Sequence, residues 1–221
     1  MSLPFIVHND LIQIENSYVF IYKKVLQNEE MEIIKKAIDE HTPFSEEHIT
    51  SDEGSSNVRS KFTTFDLISQ QNPEIGKIVT RVFKGIQRKL LTEICGYPTS
   101  VIGYNNTTQF RKIHGATRMH TDGVLCPISM RRRLFAVIIA LNSDYEGGEF
   151  EFPQQNIKVK LKAGEALIFP PYWTHPHCTN ELNGTFRYTI NTWLTEFVFN
   201  NLAERTKKRQ ELLDTSHKYM V

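Results

Sequence analysis

Apolar residues recur at helical spacing in two stretches of the first 98 residues and at shorter, strand-like spacing afterwards. Met31, Ile33, Ile34, Ala37 and Ile38 predict an amphipathic helix over 27–40, with Asn28 as its cap and glutamates in its first turn. Asn72-Pro73 opens a second and clearer helix, a capping residue followed by a proline at the first helical position, and Gly96 after Cys95 closes it. Its buried stripe reads Ile75, Ile78, Val79, Val82, Phe83, Ile86, Leu90 and Ile94. Between the helices, Ser51-Asp52-Glu53-Gly54-Ser55-Ser56-Asn57 is too polar to bury itself and predicts a mobile loop; extended to Lys61 it is a candidate lid.

After Gly96 the period changes. Short β-rich runs near 99–104, 108–113, 117–121, 133–141, 148–152, 156–161, 165–170 and 186–195 are separated by Gly, Asn, Asp and Pro. Eight such strands predict a double-stranded β-helix, a cupin-like jelly roll with the N-terminal helices packed on it. The expected organisation is one domain over 1–221: support elements in 1–98, the jelly-roll core in 99–195 and a polar C-terminal helix in 196–221.

Charge and cysteine usage narrow the function classes. Lysine plus arginine (26) nearly cancel aspartate plus glutamate (25), so no overall field selects for nucleic acid or an anionic membrane. Three widely spaced cysteines, Cys95, Cys126 and Cys178, do not form a secreted disulfide framework and predict free thiols in a reducing compartment. The longest apolar run, Leu134 to Leu141, is too short to span a bilayer, and a soluble cytoplasmic protein is expected. Oligomeric state has no signature in the sequence.

The candidate chemistry lies in three signals, in order along the second half: His120-Thr121-Asp122, then His175-Pro176-His177, then Arg187. In a strand, residues two apart share a face, so His120 and Asp122 can give one imidazole nitrogen and one carboxylate oxygen to a single ion. With a later histidine this is the 2-His-1-carboxylate pattern of a non-haem Fe(II) site with open positions. His175 and His177 flank a proline in what reads as an extended segment, and either can be the third ligand. Cys178 beside His177 raises a zinc reading, but Cys95 and Cys126 supply no paired-cysteine spacing.

Over residues 108–194 the chain resembles the Fe(II)- and 2-oxoglutarate-dependent dioxygenases, specifically the small prolyl 4-hydroxylase-like branch. The matching segments run in the family's order: Gly115 before His-x-Asp, Leu134 to Asn142, the hairpin Asp144-Tyr145-Glu146-Gly147-Gly148-Glu149, the strand Ala163 to Pro170, and Arg187-Tyr188-Thr189-Ile190-Asn191-Thr192-Trp193. In that family a basic residue follows the distal histidine by nine or ten positions, which favours His177 over His175. Gly164, Pro170 and His175 fit a cupin pattern that favours His175 instead.

The resemblance implies His120, Asp122 and His177 as catalytic metal ligands, Fe(II) and 2-oxoglutarate as cofactors, and ascorbate as a candidate reductant. Arg187 would hold the C5 carboxylate of the cosubstrate, a match to the permanent charge and forked donors of guanidinium. Animal members place a tyrosine against the cosubstrate where this chain has Ala140, so Tyr104 or Thr189 is expected to supply the missing hydroxyl. Phe110, Trp193 and Arg131, the last in the run Arg131-Arg132-Arg133, are the expected substrate-pocket residues. The implied reaction is hydroxylation of an unactivated carbon with release of succinate and CO2. Peptidyl proline is the favoured substrate, and a free amino acid or small metabolite the next. A non-catalytic cupin-like metal-binding module is the contrasting reading, and nucleic-acid demethylation ranks lower because net charge is near zero.

Overall fold

The computed structural model describes residues 10–14, 17–41, 50–51, 54–55, 59–90, 102–104, 108–126, 129–196 and 206–207. Strands β1 (Leu11–Gln13) and β2 (Phe20–Tyr22) precede helix α1 (Asn28–Glu40); a short ladder, β3 (Thr50–Ser51) with β4 (Gly54–Ser55), precedes β5 (Arg59–Thr64). Helices α2 (Phe65–Gln71) and α3 (Pro73–Lys89) follow. The remaining strands are β6 (Ile102–Tyr104), β7 (Gln109–His114), β8 (Thr117–His120), β9 (Arg133–Ala140), β10 (Glu146–Gly147), β11 (Phe150–Phe152), β12 (Ile157–Val159), β13 (Ala166–Phe169), β14 (His177–Thr179), β15 (Leu182–Asn183) and β16 (Arg187–Glu196).

Twelve of these strands form the two sheets of the jelly roll that the strand pattern predicts, while β10 with β15 and β3 with β4 make two-stranded ladders of their own. The major sheet runs β1-β2-β13-β9-β16-β7-β5, with β6 also pairing β16, and the minor sheet runs β12-β11-β14-β8. Period-two alternation divides the core between the two faces of the major sheet. Val137, Ile139, Ala166, Ile168, Ile190 and Phe110 pack on the helical layer. Ala136, Ile138, Ala140, Leu167 and Phe169 face the minor sheet and meet Phe150 and Phe152. The stripe predicted for α3 is buried from Ile75 to Leu90 and closes the outer layer against Met31, Ile34 and Ile38 of α1.

Asn72 caps α3 as expected, its Oδ1 accepting from the Glu74 and Ile75 amides at 3.2 and 3.4 Å. The cap of α1 is Gln27 and not Asn28: the Gln27 amide donates to Glu30 Oε2 at 2.9 Å, which satisfies a donor at the helix start and moves the boundary one residue upstream. The expected closure at Gly96, Cys95 and most of the C-terminal segment lie outside the described residues. Part of the stretch read as a loop and lid is sheet. Arg59, Ser60 and Lys61 belong to β5, which pairs with His114, Ile113 and Lys112 of β7. Cys126 and Cys178 are free thiols, and among the described residues no helix is long and apolar enough to cross a membrane.

Among the described glycines the tightest steric constraint is where β10 pairs with β15. Gly147 has φ +72°, and a Cβ there would clash with the Glu181 carbonyl oxygen. Gly147→Ala should therefore lower stability by about 2 kcal/mol or more in denaturant unfolding, from the left-handed backbone before the clash is counted. An unchanged midpoint would show that the β10–β15 pairing opens without cost.

Candidate active site

Three side chains converge at the open end between the sheets. Antiparallel pairing of β8 with β14 sets His177 opposite His120, and the two rings lie 4.4 Å apart between centroids. Asp122 follows β8 by two residues, with Oδ1 3.7 Å from His120 Nε2. One ligand atom from each of His120, Asp122 and His177 falls within 4.8 Å of the others, so the trio could hold one metal ion.

Backbone carbonyls orient both imidazoles. His120 Nδ1 lies 2.9 Å from the Arg118 carbonyl and His177 Nδ1 lies 3.0 Å from the His175 carbonyl. A carbonyl only accepts, so each Nδ1 carries the proton and each Nε2 keeps its lone pair free. Burial against Phe152 and Phe169 pushes the His177 pKa below its ordinary value although Asp122 pulls the other way, which keeps the ring neutral as a ligand must be. Asp122 is held through its backbone, where its carbonyl accepts from Arg133 Nη1.

His175 stands apart from this cluster. The Tyr172–His175 segment is a turn closed by the His175 amide donating to the Tyr172 carbonyl at 2.9 Å, so His175 and His177 do not share an extended strand and do not face one side. The His175 ring is buried beside the Thr174 hydroxyl, and it serves His177 through its carbonyl.

A cavity of about 350 Å3 runs from the trio between the sheets. Arg187, Thr189, Asn191 and Trp193, two apart on β16, line one wall, and Ile113 and Arg111 on β7 line the next. Arg187 is 2% exposed, its Nη1 donates to the Gly148 carbonyl at 2.7 Å, and its Nε is buried without a partner. Among the described residues no carboxylate pairs with it. Burial brings its pKa down to about 10, with Arg111 adding to the drop and Tyr145 opposing it, so it remains a full cation at neutral pH. A larger, open groove of about 990 Å3 along α3 is lined by none of these side chains.

The other expected pocket residues divide. Thr189 and Trp193 line the cavity, the Thr189 hydroxyl donating to Asn191 Oδ1 at 2.6 Å and the Trp193 ring lying under the Arg133 guanidinium at 4.0 Å. Phe110 does not: it is fully buried in the core under the helices, because its neighbour Arg111 takes the inner face of β7. Arg131 does not line the cavity; its carbonyl closes a turn with the Cys126 amide at 2.9 Å, and Arg133 is the member of that run that reaches inward. The backbone of Tyr104 pairs with Leu194, seven residues and roughly 23 Å along β16 from Arg187 at strand rise.

Sequence reasoning missed Tyr145. It is 4% exposed, its hydroxyl is buried without a partner, and it lies close enough to Arg187 for each to shift the other's pKa. The only signal was its place in the Asp-Tyr-Glu-Gly-Gly hairpin, whose Gly148 carbonyl Arg187 grips.

Residues 108–195 match the model of the 2OG-Fe(II) oxygenase superfamily. A PKHD-type hydroxylase of Prochlorococcus marinus strain MIT 9515 is 24% identical over 81% of this chain and 79% of its own. Another, from strain NATL2A, is 26% identical over 80% and 77%. In fold, the chain is similar to the viral collagen prolyl hydroxylase of Paramecium bursaria Chlorella virus-1 in its 2-oxoglutarate complex, with TM-score 0.60, 18% identity, and 83% of this chain and 98% of that chain covered. It is also similar to a prolyl hydroxylase of Trichoplax adhaerens in complex with a hypoxia inducible factor oxygen degradation domain peptide fragment, with TM-score 0.63, 13% identity, and coverage of 82% and 84%.

Over residues 108–195 the chain is similar to the Fe(II)- and 2-oxoglutarate-dependent oxygenases. It is an enzyme of the 2-oxoglutarate-dependent dioxygenase class and not a non-catalytic cupin-like module. The donor chemistry here fits that cofactor set, with two neutral imidazoles and a carboxylate for a ferrous ion and a buried, unpaired cation for a dicarboxylate.

Desolvation of Arg187 has a measurable consequence. The fall of its pKa to about 10 corresponds to about 3 kcal/mol of destabilisation, present at neutral pH and relieved only as pH rises through the folded value. Arg187→Met, similar in length and uncharged, should raise the thermal midpoint of the ligand-free protein by several degrees, roughly 2 °C or more per kcal/mol at this size. A lowered midpoint would show that the Gly148 contact outweighs the buried charge.

Proposed function

We propose that the protein hydroxylates a proline residue of a polypeptide, using ferrous iron held by His120, Asp122 and His177 and 2-oxoglutarate held by Arg187. The observation that carries this reading is the pairing, in one cavity, of the two-histidine, one-carboxylate cluster with an arginine that is buried and lacks an anion. A chelate on the trio and a carboxylate on Arg187 would be the two ends of a bound dicarboxylate. Peptidyl proline is supported by the neighbours, one a collagen prolyl hydroxylase and another in complex with a peptide fragment.

When bound, iron and 2-oxoglutarate supply the activation of dioxygen that hydroxylates a carbon, the cosubstrate leaving as succinate and CO2. The chain's own residues do the positioning. Arg187, kept from turning by Gly148, would present Nε to the distal carboxylate, and Tyr145 would add a hydroxyl beside it, in the role expected of Tyr104 or Thr189. Phe150, Phe152 and Phe169 exclude water from the side of His177. The carbonyls of Arg118 and His175 hold the imidazoles so that neither rotates off the ion. Trp193, fixed under Arg133, walls the side on which substrate would enter.

Purified protein with Fe(II), 2-oxoglutarate and proline-containing peptides should give peptide with one added oxygen and an equal amount of succinate, read by mass spectrometry. Asp122→Ala should cut turnover by about 100-fold or more, since loss of groups that merely support ligands already costs up to that; retained turnover with bound iron would overturn the ligand assignment. Tyr145→Phe should raise the KM for 2-oxoglutarate about tenfold, the worth of a hydrogen bond to a charged group. An unchanged KM would remove Tyr145 from the cosubstrate site.

A further inference from the structure

The proposed chemistry uses the cavity on one face of the major sheet and gives no role to the helical layer on the other face. That layer carries the larger groove, about 990 Å3 along α3, between the turn after β2 and α2. Lys24, Lys77, Arg81, Lys84 and Arg88 line it, and no acidic residue does. Arg81 is offset by Glu30 and Arg88 has a partner of its own, so the unmatched charge is that of three ammonium groups. Among the described residues no carboxylate pairs with Lys24, Lys77 or Lys84, in a chain whose net charge is only +1.

Two further features separate this groove from a solvated lysine face. Its base is apolar: Val25 and Val82 line it and are 8% and 5% exposed. The second is that α3 keeps glycine in mid-helix at Gly76 and Gly85, although glycine lowers helix stability relative to alanine. Gly76 is explained within the chain, since a Cβ there would lie 3.1 Å from Ser69 Cβ. Gly85 is not, for a Cβ there would meet nothing within 4 Å. The chain's own packing makes no demand for glycine at that point of the groove, so the open space serves a body that approaches α3 closely. Lys77, Arg81 and Lys84 stand on one face of the helix, four and then three residues apart, a basic row about 10 Å long at helical rise.

We propose that this groove is a docking site for an acidic amphipathic helix of a partner protein, its apolar face seated over Val25, Val82 and Gly85 and its carboxylates meeting Lys24, Lys77 and Lys84. The charge selects an acid, and the apolar base selects a polypeptide among acids. A phosphate backbone would meet the lysines and gain nothing from the valines, and the Tyr22 ring on which a base would stack already faces Lys89 at 5.3 Å. An anionic membrane is flat and does not enter a concave groove. Because the cavity lies on the opposite face of the major sheet, docking leaves it unobstructed.

The test is fluorescence anisotropy on the full chain at low salt, with a fluorescein-labelled peptide of three Leu-Glu-Ala-Leu-Glu-Ala-Glu heptads, its glutamine-for-glutamate twin and a labelled oligothymidylate, together with co-sedimentation on phosphatidylserine vesicles. The acidic peptide should bind about tenfold or more tighter than its glutamine twin, and Lys77→Glu with Lys84→Glu should remove that preference. The same charge change outside the groove, Lys36→Glu with Lys162→Glu, should leave it within about twofold. Gly85→Leu keeps every charge and fills the groove, and should weaken the acidic peptide about tenfold. Gly85→Ala should raise the thermal midpoint of the free protein by about 2 °C. Equal binding of the acidic peptide and its twin, equal loss in the two charge-reversed pairs, undiminished binding to Gly85→Leu, or a lowered midpoint in Gly85→Ala overturns the proposal. So does tighter binding of the oligothymidylate or the vesicles, which would assign the lysines to a nucleic acid or a membrane.

Discussion

Everything at this site depends on one strand register, His177 opposite His120 in the pairing of β14 with β8. Because side chains alternate across a strand, a slip of one residue would turn His177 out of the cavity and bring Cys178 in. The pairing is short, and it is held from the other side by β11, whose Phe150 and Glu151 pair with Thr179 and Cys178. The minor sheet is therefore less a wall of the core than a frame for two imidazoles. Asp122 needs no register of its own, since it follows His120 by two residues and its backbone is tied to Arg133.

The opposite wall carries a cost. Arg187 lies on β16, a central strand of the major sheet, with its charge almost wholly out of water and, among the described residues, no carboxylate to meet it. A fold selected for stability alone would place an apolar residue there. The cost is tolerable because Gly148 accepts one of its donors and because the aliphatic core on the other face of β16, with Ile190 and Leu194, is continuous with the helical layer. An anion bound to this guanidinium would offset the desolvation already present.

Most of this architecture was legible because the relevant strands are long or strongly alternating. Residues 133–141 and 186–195, the runs with the clearest pattern, became β9 and β16, and the α3 stripe from Ile75 to Leu90 is buried as its period predicts. β14 was not legible: His177-Cys178-Thr179 has no apolar rhythm, and its strand character comes wholly from partners distant in sequence. That is also why His175 and His177 were indistinguishable by periodicity, for the turn at Tyr172–His175 is a tertiary outcome. Phe110 was misplaced because two adjacent strand residues face opposite sides, and choosing between Phe110 and Arg111 requires a register that no local pattern supplies. Tyr145 was hidden for a related reason: its burial against Ile113 and Leu182 is a contact between segments distant in sequence.

The most direct test of the central claim, that His120, Asp122 and His177 with Arg187 form a single iron–cosubstrate site, is anaerobic titration of the purified protein with Fe(II) and 2-oxoglutarate, following the weak visible charge-transfer band of the chelate. The geometry requires a band in the wild-type protein that survives in His175→Ala and is lost in His177→Ala. A band that survives in His177→Ala and disappears in His175→Ala would contradict the account, because it would place the metal on a ring that the structure turns away from the cavity.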